Sequence, residues 1–163
     1  MFAIAAALGV FELTIIAFLS VALYRAFSGG VHAKTHIACI LSTNLFYIGN
    51  VLLSKWLIYE NEITKYILIT AIWVFSMIMI KLYAPADTEN LPILRKRERR
   101  NKKILSYISM TITLIIAAFV KDIVISNIMI YGILFQTITI TRFIYNITNN
   151  KYGHEVYAQG NYN

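Results

Sequence analysis

The sequence predicts an all-α fold, a polytopic membrane bundle with about five spanning helices. Three observations carry that expectation. Hydrophobic residues make up 58% of the 163-residue chain and charged residues 14%, whereas charged residues come to about a quarter of an ordinary soluble domain. Mean hydropathy is +0.63. The apolar residues also gather into long runs divided by short polar connectors, and a span needs roughly 20 such residues to cross about 30 Å of hydrocarbon. The lipid bilayer is therefore an expected partner of the chain, and nucleic acid is not. A single cysteine excludes an intrachain disulfide and leaves its thiol for reactivity, ligation or packing.

The first run, 2 to 24, reads as a retained span, because it ends in Arg25 rather than beginning after basic residues, and no signal-peptide cleavage pattern follows it. Glu12 falls near its middle, where an unpaired carboxylate is costly, so it is expected to be paired, protonated or open to a cavity. The second run, 37 to 58, closes near Lys55, Trp56 and Tyr59, which read as interfacial anchors with the lysine snorkelling outward. The third, 63 to 82, ends on Lys81 in the same way. The fourth covers 104 to 120. The fifth, 123 to 145, is interrupted by Asn127, Gly132, Gln136 and several threonines, and such residues favour close contact with other helices over lipid. Residues 1 to 145 thus form one transmembrane domain, and 146 to 163 a polar tail.

Orientation follows from the basic residues. The connector 83 to 103, YAPADTENLPILRKRERRNKK, holds seven: Arg95, Lys96, Arg97, Arg99, Arg100, Lys102 and Lys103. The positive-inside rule makes that connector cytoplasmic. Two spans separate it from the 25 to 36 connector, with Arg25 and Lys34, so both lie on one side. The tail returns to the cytosol as well. A thiol near that face would sit in a reducing compartment.

The chemistry-bearing residues cluster at 25 to 39, RAFSGGVHAKTHIAC, which contains the only cysteine and two of the three histidines. On one continuous helix His32 and Cys39 would be separated by about 10.5 Å of rise, too far for a hydrogen bond. Gly29 and Gly30, however, are poor helix formers that tolerate positive φ, so they end the first span and let His32 fold back over the start of the next. Thr35 is the expected N-cap. Cys39 then lies in the first turns of the second span, where free amides, the helix dipole and a nearby imidazole all favour the thiolate. That pattern fits a nucleophile and its base. It fits equally a packed cysteine with interfacial histidines, or a metal- or haem-holding face in which His32, His36 and Cys39 recur at i, i+4 and i+7.

The run Arg25, Gly29, Gly30, His32, Ala33 and Cys39 resembles the hallmark of the accessory gene regulator B family, membrane cysteine endopeptidases that mature quorum-sensing peptides. A second stretch, Tyr83 to Ile93, is similar to the family's cytoplasmic segment and is followed, as there, by a basic run. The resemblance implies that Cys39 is the nucleophile and His32 its general base, with an AgrD-like propeptide as substrate, no cofactor and no metal. Arg25, Gly29 and Gly30 match motif positions. Lys34 stands with them as a supporting residue, and Arg95, Lys96 and Arg97 as a site for the acidic part of the substrate. His36 falls where the family requires no histidine. Family members usually carry a further amphipathic segment and a hydrophobic segment before the arginine, so the amino terminus here is expected to be short or truncated. Ser42 and Thr43, one turn beyond Cys39, are candidates to orient His32. A homodimer is one assembly the sequence allows. The competing function class is a non-enzymatic helical membrane protein, a transporter subunit or assembly partner in which the motif is structural.

Overall fold

The computed structural model describes residues 1–33, 35–58, 61–89 and 91–160. Among the described residues eight helices follow in order: α1 Phe2–Ala7, α2 Phe11–Ser28, α3 His36–Trp56, α4 Glu62–Tyr83, α5 Lys96–Phe119, α6 Ile123–Thr139, α7 Arg142–Ile147 and α8 Gly153–Gly160. Among the described residues α2, α3, α4 and α5 are long and apolar enough to cross a membrane, and α6 is a shorter apolar helix. The all-α bundle expected from the sequence is the fold observed. At 17 residues, α6 extends about 26 Å.

Three boundaries differ from the expected ones. The first run is two helices, because Gly9 adopts φ +67 and stops α1. Glu12 consequently stands in the first turn of α2, exposed, where a carboxylate meets the positive end of the helix dipole. No mid-span carboxylate has to be accommodated. The basic run is helical rather than a connector: α5 starts at Lys96, since Lys, Arg and Glu are good helix formers and Glu98 pairs with Lys102 one turn on at 3.4 Å. The last run ends at Thr139 and turns into α7.

α6 sits at the centre, packed against α2, α3, α4 and α5. Its polar residues are the ones that read as packing positions, and the structure buries Asn127, Gly132, Gln136 and Thr137. Each polar group meets a partner, as burial demands. The Tyr24 and Ser76 hydroxyls both lie within 2.9 Å of Thr137 Oγ1, Asn50 Nδ2 donates to Ile128 O at 2.9 Å, and Asn127 Nδ2 donates to Leu57 O at 2.7 Å. Buried Lys65 donates to Val120 O at the end of α5, at 2.8 Å. Of the expected interfacial anchors, Lys55, Trp56 and Lys81 are exposed at helix ends, and Tyr59 lies outside the described residues.

Candidate active site at one end of the bundle

The Gly29–Gly30 pair ends α2 and does a second task. Gly29 has φ +72 and Gly30 φ +138, both in the region that favours glycine. The segment after α4 lies directly against them: Ala86 N donates to Ser28 O at 2.8 Å and Gly30 N to Ala86 O at 2.9 Å. A Cβ on Gly29 would stand 2.2 Å from Ala86 O. From α6, Gln136 Nε2 donates to Gly29 O at 2.7 Å and to Ser28 Oγ at 3.0 Å, while Arg25 Nη1 donates to Gln136 Oε1 at 2.9 Å. Arg25, Gly29 and Gly30 thus form a backbone-docking knot, and the connectors at 25 to 36 and 83 to 95 share one end of the bundle.

From that knot the chain leaves extended through Val31 and His32. Thr35 then caps α3, its hydroxyl accepting from Ala38 N at 3.2 Å, and Cys39 occupies the fourth helical position with its amide on Thr35 O at 3.0 Å. Cys39 is exposed. His32 lines a cleft of about 660 Å³, together with Arg25 and the knot, Ser42, Thr43, Phe46 and Tyr47 of α3, Asp87 and Thr88, and Lys102 of α5. Cys39 is not among the residues that line this cleft; it stands one helical turn before Ser42 and Thr43, which do. The Ser42 hydroxyl donates to Cys39 O at 3.2 Å and is not directed at His32. Among the described residues no hydrogen bond joins the His32 ring to the thiol. Desolvation, and secondarily the positive Arg25, hold the His32 imidazole below its ordinary pKa.

His36 opens α3 as its first helical residue, exposed. Because the helix begins there, His32 is not on the helical face of His36 and Cys39. Among the described residues these side chains do not form a metal-holding group. Arg95, Lys96 and Arg97 are exposed at the start of α5 and do not line the cleft. Lys34 lies outside the described residues.

One residue escaped the sequence reading. The Asp87 carboxylate is fully buried and accepts from Ile93 N at 3.0 Å, His154 N at 2.9 Å and His154 Nδ1 at 2.6 Å, with the Arg99 guanidinium 3.5 Å away. It pins residues 84–93 to the polar tail, 67 positions downstream. The only hint in the sequence is an acidic residue in a strongly basic connector.

The model of the accessory gene regulator B family matches residues 1–140. The chain belongs to that family. An accessory gene regulator protein B of Staphylococcus intermedius is 30% identical over 139 residues, covering 85% of this chain and 70% of that relative. Another, from Staphylococcus epidermidis, is 30% identical over 130 residues, 80% of this chain and 63% of the relative. An AgrB-like protein of Clostridium acetobutylicum is 27% identical over 148 residues, 88% and 66% of the two. The chain therefore spans about two thirds of the length of these relatives. No solved structure matches it. Within this accessory gene regulator B chain, the matched part contains the knot, His32, Cys39, Asp87 and the basic run, and α7 and α8 lie beyond it.

Proposed function

We propose that this chain is a membrane-embedded cysteine endopeptidase of quorum sensing, which cuts an AgrD-like propeptide at the cytoplasmic face and promotes its cyclisation. The observation that carries this reading is the break in the chain at Gly29 and Gly30. It ends α2 and brings His32 into the lining of a cleft that Ser42 and Thr43, in the turn of α3 that follows Cys39, also line. Family membership supports it.

His32, neutral at neutral pH because its pKa is lowered, takes the Cys39 proton. The thiolate adds to the scissile carbonyl, the C–N bond breaks, and the imidazolium returns the proton to the leaving amine, which leaves an acyl thioester on Sγ. A thiol or hydroxyl within the bound peptide then attacks the thioester, closing a thiolactone or lactone and freeing the cysteine. Thioester exchange is nearly balanced, so the ring forms only where water is kept from the intermediate. The aromatic depth of the cleft, with Phe18, Phe46 and Tyr47, suits that exclusion. The gap between base and nucleophile is consistent with catalytic hydrogen bonds that tighten only when substrate binds.

Three alanine variants test the reading. With the cognate propeptide co-expressed and the products weighed by mass spectrometry, Cys39→Ala and His32→Ala abolish cleavage while both proteins still insert in the membrane. His36→Ala retains most activity. Equal loss at His32 and His36 would favour ligation over dyad chemistry and overturn the mechanism.

A further inference from the structure

The chain after α6 does not trail away from the bundle. At Asn149 the backbone turns with φ +51, and Asn150 then reaches back across the site: its Nδ2 donates to His32 O at 3.0 Å. Its own placement is fixed, since the same Nδ2 lies 2.9 Å from Thr148 Oγ1 and its amide donates to Tyr145 O at 2.9 Å. On the other side of His32, Val31 N donates to Thr139 O at 3.3 Å. The His32 backbone is therefore held between the end of α6 and Asn150, while its imidazole stays open to the cleft.

The returning segment is anchored more firmly than a polar tail requires. The rings of Tyr145 and Tyr152 stack at 4.1 Å between centroids with 5° between planes, and both residues are buried. Tyr145 Oη donates to Asp87 O at 3.0 Å and Tyr152 Oη to Ile140 O at 2.8 Å. Gly153 lies so close to Thr88 that a Cβ would meet its carbonyl oxygen at 2.3 Å. His154 closes the anchor on the buried Asp87 carboxylate through both its amide and its Nδ1. Tyr145, Tyr152, Gly153 and His154 all lie beyond the part of the chain that the family model matches, whereas their partners Asp87, Thr88 and Ile140 lie within it.

We infer that Asn150 is a positioning residue for His32, and that the Asp87–His154 contact keeps Asn150 in place, making residues 142–160 a working part of the site. This rests on the peptidase reading, in which His32 is the base. A hydrogen bond from Asn150 fixes where the imidazole starts from, and displacement of a catalytic group by about 1 Å costs up to about a hundredfold in rate. The role is positional because Asn150 bonds His32 through its backbone carbonyl and not through its imidazole.

The test uses the full chain in lipid nanodiscs and a synthetic AgrD-like propeptide. Asn150→Asp is nearly isosteric and keeps the bond from its own amide to Tyr145 O, but it has no side-chain donor for His32 O or for Thr148 Oγ1, so thermal unfolding is read beside activity to separate the contact from the turn. We expect Asn150→Asp and His154→Ala to lower kcat by about fivefold to tenfold with KM little changed, the loss fitting one hydrogen bond. Amide exchange at residues 31–33 should quicken in both variants, with thermal unfolding of Asn150→Asp unmoved. Asn150→Gln, which keeps the donor, should recover part of kcat. If the native chain cuts nothing, or His32→Ala cuts as well as native, the peptidase reading falls and this inference with it. If His32→Ala is dead while Asn150→Asp has native kcat and native exchange at 31–33, the positioning role alone is overturned.

Discussion

A general base is competent only above its own pKa, so in the proposed mechanism the depressed pKa of His32 keeps its imidazole unprotonated and ready at neutral pH. Desolvation is the larger cause and Arg25 the second. Replacing Arg25 with Gln removes the positive neighbour, lets the imidazole pKa rise, and so moves the acid limb of the cleavage profile to higher pH. Arg25→Lys keeps the charge while losing the planar contact with Gln136, so its limb should stay near the native position even where its rate is lower. Rate measured against pH for the native chain and both variants checks this; a limb that moves equally in both would assign the effect to the lost contact. The placement of His32 beyond the glycine break and of Cys39 in the first turns of α3 was legible, because each stands close to the glycines and the cap that set it. Asp87, Asn150 and His154 were not legible, because what unites them is a fold that brings positions more than 60 residues apart into contact.

Elements were read well where a long apolar run ends in a recognisable stop. The third and fourth helices kept their bounds to within one or two residues of the expected runs, with Thr35 and Asn61 supplying the N-caps. The errors lie where hydropathy is uninformative. A break at Gly9 does not interrupt an apolar run, and a basic stretch that continues an apolar helix looks like a loop to hydropathy although its propensity is helical. The Gly29–Gly30 break was foreseen, but its partner was not: the glycines are required by the close approach of Ala86 as much as by the end of α2. Gly29→Ala should therefore act at the level of the element. The new Cβ meets the Ala86 carbonyl at 2.2 Å and the backbone is held at a φ that alanine disfavours, a strain of about 1–3 kcal/mol. Relief requires residues 84–93 to lift from the knot, which also displaces His32. A lower thermal midpoint in detergent together with loss of cleavage is the expected result, and a native midpoint would show that the knot yields without cost.

At the scale of the whole molecule, the bundle gathers both polar connectors and the tail helices at one end, and the basic start of α5 rises beside them. The positive-inside rule alone accounts for cationic residues there. Arg99 has a further use beside Asp87, and Lys102 lines the cleft, whereas Arg95, Lys96 and Arg97 are exposed and form no ion pair among the described residues. If the chain is the proposed peptidase, those three are placed to hold the acidic portion of its propeptide. Exposed charge pairs contribute only about 0.2–1 kcal/mol each, so several must act together. Changing all three jointly to Gln should raise the propeptide concentration needed for half-maximal cleavage by about tenfold, the sum of three such pairs, while kcat stays near native. Added salt should weaken the native enzyme in the same sense, because exposed pairs are screened over about 8–10 Å at ordinary ionic strength. Reversing acidic residues on the propeptide should weaken capture by the native chain, most at low salt, and change little for the triple variant. Insertion is preserved by Arg99, Arg100, Lys102 and Lys103, which labelling of Cys39 from the cytoplasmic side of inverted vesicles would verify. A triple variant that inserts correctly and cleaves with native concentration dependence would reduce the first turn of α5 to an orientation signal, and substrate capture would then fall to the cleft itself.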